Sequence, residues 1–315
     1  MTRGRVRVAA SILNADLANL AREVRRAEKA GVDRIHLDVM DGCFVPNITF
    51  GAGTIAALRG ITRLPFDAHL MIAEPSRYIG DFVDAGCDSI TVHVEVDEPV
   101  EPTLRAIRSA GRAAGLAVRP ATGIDALEPY RELLDIVMVM TVEPGFGGQA
   151  FMRDPARKLL DARRLVDHRP WSGELHVDGG VSRETAEYVG SLGADVLVVG
   201  TALFRRGADP AREARLVRSL AEEGFAHAFR GDRPPPARDR WVRVTTLPRD
   251  VGAGLVRALE GDGIPVIFLR GEGPIAADGV REYDVLVPVA AEPIVRARHA
   301  TALAAAEAAG RGARA

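Results

Sequence analysis

His36 and Asp38 stand two residues apart in the run Arg34-Ile35-His36-Leu37-Asp38-Val39-Met40-Asp41-Gly42. Read as a β-strand, the run alternates its side chains between faces. His36, Asp38 and Met40 then share one face, and Ile35, Leu37 and Val39 share the other. The second set is suited to packing beneath helices. The first sets an imidazole, a carboxylate and a thioether on a face that would otherwise be apolar. A charged pair there costs on the order of several kcal/mol unless a metal, a proton or a substrate compensates it.

The same residue types recur on other apolar runs. Phe66–Met71 carries His69 and Met71 at alternate positions, Ile136–Val142 carries Met140, and Glu174–Asp178 ends in Asp178. His36, Asp38, His69 and Asp178 together make an N2O2 donor set for one divalent transition metal, with Zn, Fe(II), Mn and Co all acceptable. Taken singly, each residue has an ordinary use. A strand histidine is a hydrogen-bonded core residue, Asp38 an acceptor for backbone N–H, and Met40, Met71 and Met140 are core filler. The joint pattern favours the metal. His93 shows no partner in the sequence and reads as packing or support. His176, two residues before Asp178, faces the same way and reads as support for the site. His168, His227 and His299 fall on helices or near linkers and read as surface.

Glycine-rich corners supply a second chemistry. Pro144-Gly145-Phe146-Gly147-Gly148-Gln149, Gly179-Gly180 and Gly200-Thr201 each follow an apolar run. Glycine lets backbone N–H groups approach an anion without obstruction. One such pair is usually just a turn, whereas three at successive strand ends point to a phosphorylated ligand.

The elements that must position these residues alternate regularly. Strands are expected at Val6–Ile12, Arg34–Met40, Phe66–Met71, Ser89–Glu95, Leu116–Pro120, Ile136–Val142, Glu174–Asp178 and Asp195–Gly200. Amphipathic helical segments lie between them, among them Asp16–Ala30, Ser76–Ala85, Glu101–Ala114, Pro155–Val166 and Ser182–Leu192. Eight β-then-α units predict parallel strands closed into a (β/α)8 TIM barrel, whose strand C-terminal ends carry the chemistry. An open doubly wound sheet would show a Gly-rich fingerprint after its first strand, where this chain has Ser11-Ile12-Leu13-Asn14. The fold class is therefore α/β: a barrel over residues 1–228, a Pro/Arg-rich linker over 229–240, a small α+β unit over 241–309 and a disordered tail over 310–315. In the small unit, strands are expected at Trp241–Leu247, Ile264–Leu269 and Tyr283–Val287, with helices at Arg249–Glu260 and from about Glu292.

Bulk properties exclude several classes. The 315 residues are 47% hydrophobic with a formal net charge of −2, which gives no general attraction to nucleic acid or an anionic membrane. Two cysteines, Cys43 and Cys87, do not make a disulfide framework and fit a reducing cytosol. No apolar signal core and no transmembrane run is seen, so a cytoplasmic protein is expected. The sequence leaves the oligomeric state open, a homo-oligomer included.

With these motifs assembled, the chain resembles the ribulose-phosphate 3-epimerase family. The resemblance rests on Ser11-Ile12-Leu13-Asn14, His36 through Gly42, Val45-Pro46-Asn47, Asp67-Ala68-His69-Leu70-Met71, Glu143 through Gln149 and Val177-Asp178-Gly179-Gly180, in order from about Val6 to Glu222. It implies a metal on His36, Asp38, His69 and Asp178, with Asp38 and Asp178 as the acid/base pair. It also implies that Ser11 and His69 lie near the substrate. Gly145, Phe146, Gly147, Gly148, Asp178, Gly179, Gly180, Gly200 and Thr201 would hold the sugar phosphate. Met40, Met71 and Met140 would line a dry site without adding a competing proton donor. The implied reaction inverts C3 of a 2-ketose phosphate, with ribulose 5-phosphate preferred over allulose 6-phosphate. Three departures fall outside the implied ligands: Cys43 where histidine is usual, His176 where glutamate is more usual, and Arg119 where lysine or asparagine precedes the proline.

Two rival readings differ in what they require. A related barrel group that decarboxylates or condenses sugar and nucleotide phosphates places a lysine in an Asp-x-Lys-x-x-Asp strand. This chain has Met40 there, and Lys29 and Lys158 are expected on helices, which also removes Schiff-base chemistry. A non-enzymatic sugar-phosphate sensor would act through residues 241–309, which resemble small bacterial domains described as putative signal transducers. That likeness rests on Trp241-Val242-Arg243-Val244, Gly263 through Val266 and Val285 through Pro288.

Overall fold

The computed structural model describes residues 6–167, 173–228, 241–248, 267–270 and 282–288, together with single residues beyond 248. Eight parallel strands close in sequence order into a barrel: β1 (Arg7–Ser11), β2 (Arg34–Met40), β3 (Phe66–Met71), β4 (Ser89–His93), β5 (Ala113–Val118), β6 (Ile136–Met140), β7 (Glu174–Asp178) and β8 (Val196–Val199). β8 pairs back onto β1 through Arg7–Val196 to Ala10–Val199. Around them run α1 (Leu20–Lys29), α2 (Ala52–Arg59), α3 (Ile79–Asp84), α4 (Val100–Ser109), α5 (Arg153–Ala156), α6 (Leu159–Asp167), α7 (Ala186–Ser191), α8 (Thr201–Phe204) and α9 (Pro210–Ala228).

Sequence chemistry explains these elements. Every residue of β2 and β3 is buried, because helices cover one face and the barrel interior the other. In α1, Val24 and Ala27 fall on the buried stripe, and Gly31 follows the cap in the left-handed region (φ 78°), where the helix stops. The outward faces of the strands and the helical stripes form one continuous apolar core that includes Ile35, Leu37, Leu70, Ile90, Leu116 and Val139. The interior is different in kind. His36, Asp38, Asp67, His69, Ser89, Thr91, His93 and His176 are all buried there beside Met40, Met71, Met138 and Met140.

The expected boundary between helix and strand at 101–120 is corrected. The helical pattern runs to Ala114 and the strand pattern begins at Leu116, yet α4 ends at Ser109 and β5 begins at Ala113. Gly111 (φ 72°) terminates the helix, and the alanines beyond it carry no period of their own. Pairing with β4 decides their state, Ser89 meeting Ala113 and Thr91 meeting Gly115. The expected helix Pro155–Val166 is two helices broken at Arg157 and Lys158. Lys158 accordingly leaves the helix and donates from Nζ to the carbonyls of Arg119, Pro120 and Thr122 beyond β5, at 2.7, 3.1 and 2.8 Å.

Beyond the barrel, β9 (Trp241–Pro248), β10 (Ile267–Arg270) and β11 (Glu282–Pro288) form an antiparallel sheet with β11 at its centre. Val285 and Val287, at alternate positions of β11, are buried. Of the expected helices at Arg249–Glu260 and from Glu292 only single residues are described, Leu255, Leu259 and Val295 among them, which are helical and buried; the linker and the tail lie outside the described residues. No helix among the described residues is long and apolar enough to cross a membrane.

Candidate active site

Parallel register carries the spacing of the sequence into a cluster. Asp38 of β2 pairs with His69 of β3, His36 with Asp67, and Met40 with Met71. Ser11 of β1 pairs with His36, and Asp178 of β7 pairs with Met140 of β6. The result brings one atom each of His36, Asp38, His69 and Asp178 within 4.8 Å of one another. His36 Nε2 lies 3.4 Å from Asp38 Oδ1 and 3.7 Å from Asp178 Oδ2. His69 Nδ1 lies 3.3 and 3.4 Å from the same two oxygens.

The partners on the far side of each imidazole assign its tautomer. His36 Nδ1 sits 2.9 Å from Asp67 Oδ2, an acceptor, so in the neutral imidazole that a metal requires Nδ1 carries the proton and Nε2 the lone pair. His69 Nε2 sits 2.9 Å from His93 Nε2, and His93 Nδ1 sits 3.0 Å from Glu95 Oε2. Burial holds His93 neutral, down at about 4, despite the Glu95 carboxylate. His93 must therefore donate from Nδ1 to Glu95 and accept at Nε2, which makes His69 Nε2 the donor and leaves the His69 Nδ1 lone pair free.

Two lone-pair nitrogens and two carboxylate oxygens thus converge on one point. His36 Nε2 and His69 Nδ1 are both buried and without a hydrogen-bond partner. Neighbouring ligands in a tetrahedron with bonds of about 2.1 Å lie about 3.4 Å apart, which the four separations match. They are too long for good hydrogen bonds and suited to a shared cation. The electrostatics agree. Burial acts to lower the proton affinity of His36, but Asp38 and Asp67 override it and hold it well above the ordinary histidine value. For His69, burial is likewise overridden by Asp178 and Asp38. Burial would raise Asp38, yet His36 and His69 hold it far below the usual carboxylate range. Excess negative charge is concentrated here, and a divalent cation would neutralise it. The four residues fit the group.

Other contacts fix the cluster. Ser11 Oγ donates to Asp38 Oδ2 at 2.6 Å, leaving Oδ1 turned to the imidazoles. Ser89 Oγ donates to Asp67 Oδ1 at 2.6 Å. Thr141 Oγ1 donates to the Asp178 carbonyl at 2.9 Å.

A cavity of about 240 Å³ opens above the cluster. Its lining brings together Ser11, Asp38, Met40, Met71, Met140, Gly145, Phe146, Gly147, Gly148, Asp178, Gly179, Gly180, Gly200 and Thr201. His36 and His69 lie beneath it, fully buried. Gly180 is a steric requirement: its φ is 64° and a Cβ there would lie 2.7 Å from the Phe151 nitrogen, whereas a Cβ at Gly147 would only displace the Asn14 amide. The glycine-rich loop after β6 is stapled by Gln149, which donates to the carbonyls of Glu143 and Phe146 at 2.7 and 2.9 Å. Asn47 ties it to the loop after β2 by donating to the Gly145 carbonyl at 2.7 Å.

Several contributors escaped the sequence reading. Asp67 is two residues before His69 on β3, so strand parity alone would have placed it on the interior face. Asn14 ends the Ser11–Asn14 motif and lines the cavity, as do Glu143, Ser182 and Arg205. His93 does have a partner, His69, which only the β3–β4 pairing reveals. His176 lies behind the cluster as expected, 3.5 Å from Asp67 and 3.0 Å from Glu174. The side chains of His168, His227 and His299 lie outside those described.

Fold and site together define a class: a (β/α)8 barrel whose strand ends present an acid–imidazole cluster under a glycine-rich mouth. Residues 7–204 match the ribulose-phosphate 3 epimerase family. The chain is 45% identical over 200 residues to ribulose-phosphate 3-epimerase of Bacillus subtilis (strain 168), covering 63% of this chain and 92% of that protein. It is 42% identical over 199 residues to that of Escherichia coli (strain K12), covering 62% and 88%. Against solved structures, 3-hexulose-6-phosphate synthase from Salmonella typhimurium superposes with a TM-score of 0.53 at 21% identity, over 70% of this chain and 100% of that one, a likeness of fold alone. The chain belongs to the ribulose-phosphate 3-epimerase family and is an epimerase.

Proposed function

We propose that the protein inverts C3 of D-ribulose 5-phosphate to give D-xylulose 5-phosphate. The observation that carries the reading is the pair of carboxylates, Asp38 and Asp178, on separate strands with their oxygens converging on the same two imidazole nitrogens. Inversion requires removing a weakly acidic proton α to a carbonyl from one face and returning a proton to the other. A lone base returns it where it came from; two carboxylates on separate strands, β2 and β7, can serve both faces. Asp38 and Asp178 carry the proton between C3 and themselves, one as base and one as acid, with the roles exchanged in the reverse direction. Ser11 holds Asp38 in orientation through its 2.6 Å hydrogen bond. Met40, Met71 and Met140 keep the reacting carbon away from water, and the glycine corners receive the phosphate.

His36, Asp38, His69 and Asp178 would hold one divalent ion (Zn, Fe(II), Mn or Co). Bound there, the ion supplies Lewis-acid stabilisation of the negative charge that develops on the substrate oxygens in the enediolate. Asp67 and His93 fix the imidazole tautomers that make this possible.

We place the activity in residues 1–228, with 229–240 as linker and 241–309 as an accessory unit. Residues 1–228 expressed alone are expected to epimerise; an inactive but folded barrel would mean that the extension completes the site. The substrate assignment is tested by assaying ribulose 5-phosphate and allulose 6-phosphate side by side, with metal content measured on the same preparation. Faster turnover of the pentulose supports it, and faster turnover of the hexulose overturns it.

A further inference from the structure

The phosphate end of the cavity has an electrostatic problem that glycines do not solve. Backbone N–H groups satisfy the hydrogen bonds of a phosphate but carry only partial charge. Asp38, Glu143 and Asp178 all line the same cavity. A divalent ion on the cluster would offset the two aspartates, leaving Glu143, whose charge acts on Lys158 outside the cavity lining, on the wall that faces a substrate dianion. Among the described residues that line the cavity, Arg205 is the one basic side chain.

Arg205 stands just beyond α8 and so belongs to the loop after β8. It shares the cavity wall with Gly179, Gly180 and Ser182 of the loop after β7. It therefore lies between the two loops at which barrels commonly seat phosphate. Its tie to the protein is loose: Nη2 is 3.5 Å from Glu213 Oε1, at the limit of a hydrogen bond. Glu213, whose side chain is only 5% exposed, has a much closer partner in Arg183, whereas Arg205 is 52% exposed. Glu213 thus keeps a compensating charge if Arg205 leaves it. A guanidinium also presents two parallel N–H donors, the geometry that matches a phosphate.

We propose that Arg205 leaves Glu213 and pairs with the substrate phosphate, making it the residue that selects phosphorylated sugars in this cavity. The proposal rests on the ketose-phosphate reading above and adds to it a charged contact. The test is Arg205→Gln, with Arg205→Lys and Arg183→Gln beside it. Epimerisation kinetics on ribulose 5-phosphate are measured together with calorimetric binding of inorganic phosphate to the metal-loaded protein.

Arg205→Gln is expected to lower kcat/KM about tenfold, equivalent to about 1.4 kcal/mol, with the larger share in KM. Inorganic phosphate should bind that variant more weakly by a similar factor. Arg205→Lys should fall between parent and glutamine, because it keeps the charge and loses the fork. Arg183→Gln breaks the closer pair to the same Glu213 but does not line the cavity, and should change KM and phosphate binding less than twofold. The proposal is overturned if Arg205→Gln binds phosphate as the parent does. It is equally overturned if Arg183→Gln reproduces its KM, since the effect would then run through Glu213. Failure of the epimerase reading would look different: no turnover by the parent, with phosphate calorimetry still reporting on Arg205.

Discussion

The two ends of the barrel interior use the same residue types to opposite purposes. At the lower end, Glu174 Oε2 lies 2.8 Å from Arg34 Nη2 and 3.0 Å from His176 Nε2, and Glu174 also pairs with Arg7. At the upper end, Asp38 and Asp178 face His36 and His69 at 3.3–3.7 Å, and the inward nitrogens have no hydrogen-bond partner. Below, Glu174 takes up His176 Nε2 and two arginines, although His176 Nδ1 is left without a hydrogen-bond partner. Above, four acceptors are held apart around one point by groups behind them. Asp67 joins the two ends, 2.9 Å from His36 and 3.5 Å from His176. Residue type alone does not distinguish structure from function here; the convergence of unpartnered nitrogens and carboxylate oxygens on one point beneath a cavity does.

Stripping any divalent ion from the protein should break this comparison most sharply. Dialysis against a chelator is expected to abolish turnover, which returns on adding one equivalent of a suitable divalent ion; full activity in demonstrably metal-free protein would refute the upper end as a metal site. Next, Asp67→Asn removes the charge that orients His36 without touching the four ligands. It should weaken metal affinity by about 10–100-fold, read by competition with a chromophoric chelator. Glu174→Gln acts at the lower end, and should cost about 1–3 kcal/mol of stability in denaturant unfolding with metal affinity kept. The smallest effect concerns pH. Burial would raise the Glu174 carboxyl, but His176, Arg34 and Arg7 override it and hold it at about 2, against an ordinary 4.5. A depressed carboxylate stabilises the fold fully above its unfolded value, and that contribution drains as pH falls toward the folded one. Melting temperatures from pH 7 to pH 3 should therefore fall less steeply for Glu174→Gln than for the parent.

Much of this was legible in the chain because a strand's period is two. His36, Asp38 and Met40 declare a shared face by spacing alone, and the glycine pairs mark the corners that line the cavity. The eight-unit alternation gave the barrel, and Arg34–Met40, Phe66–Met71 and Glu174–Asp178 match the strands residue for residue. What escaped depended on neighbours distant in sequence. His93 has no partner until β3 and β4 pair, and the Ala113–Val118 run has no period until β4 imposes extended structure. Asp67 was missed for another reason: its signal was present, but an aspartate at the start of an apolar strand reads as a polar boundary. Arg205 carried no signal at all, since its place on the cavity wall depends on how the loop after β8 turns.

The central claim is that Asp38 and Asp178 serve opposite faces of C3. It is tested most directly by running ribulose 5-phosphate in D2O with the parent, Asp38→Asn and Asp178→Asn, and following deuterium at C3 together with inversion. The parent should give xylulose 5-phosphate labelled at C3. Each variant should lose inversion by about a thousandfold, while the carboxylate it retains still exchanges the C3 proton of one epimer. Inversion at the parent rate by either variant, or an unlabelled parent product, would contradict the two-carboxylate account.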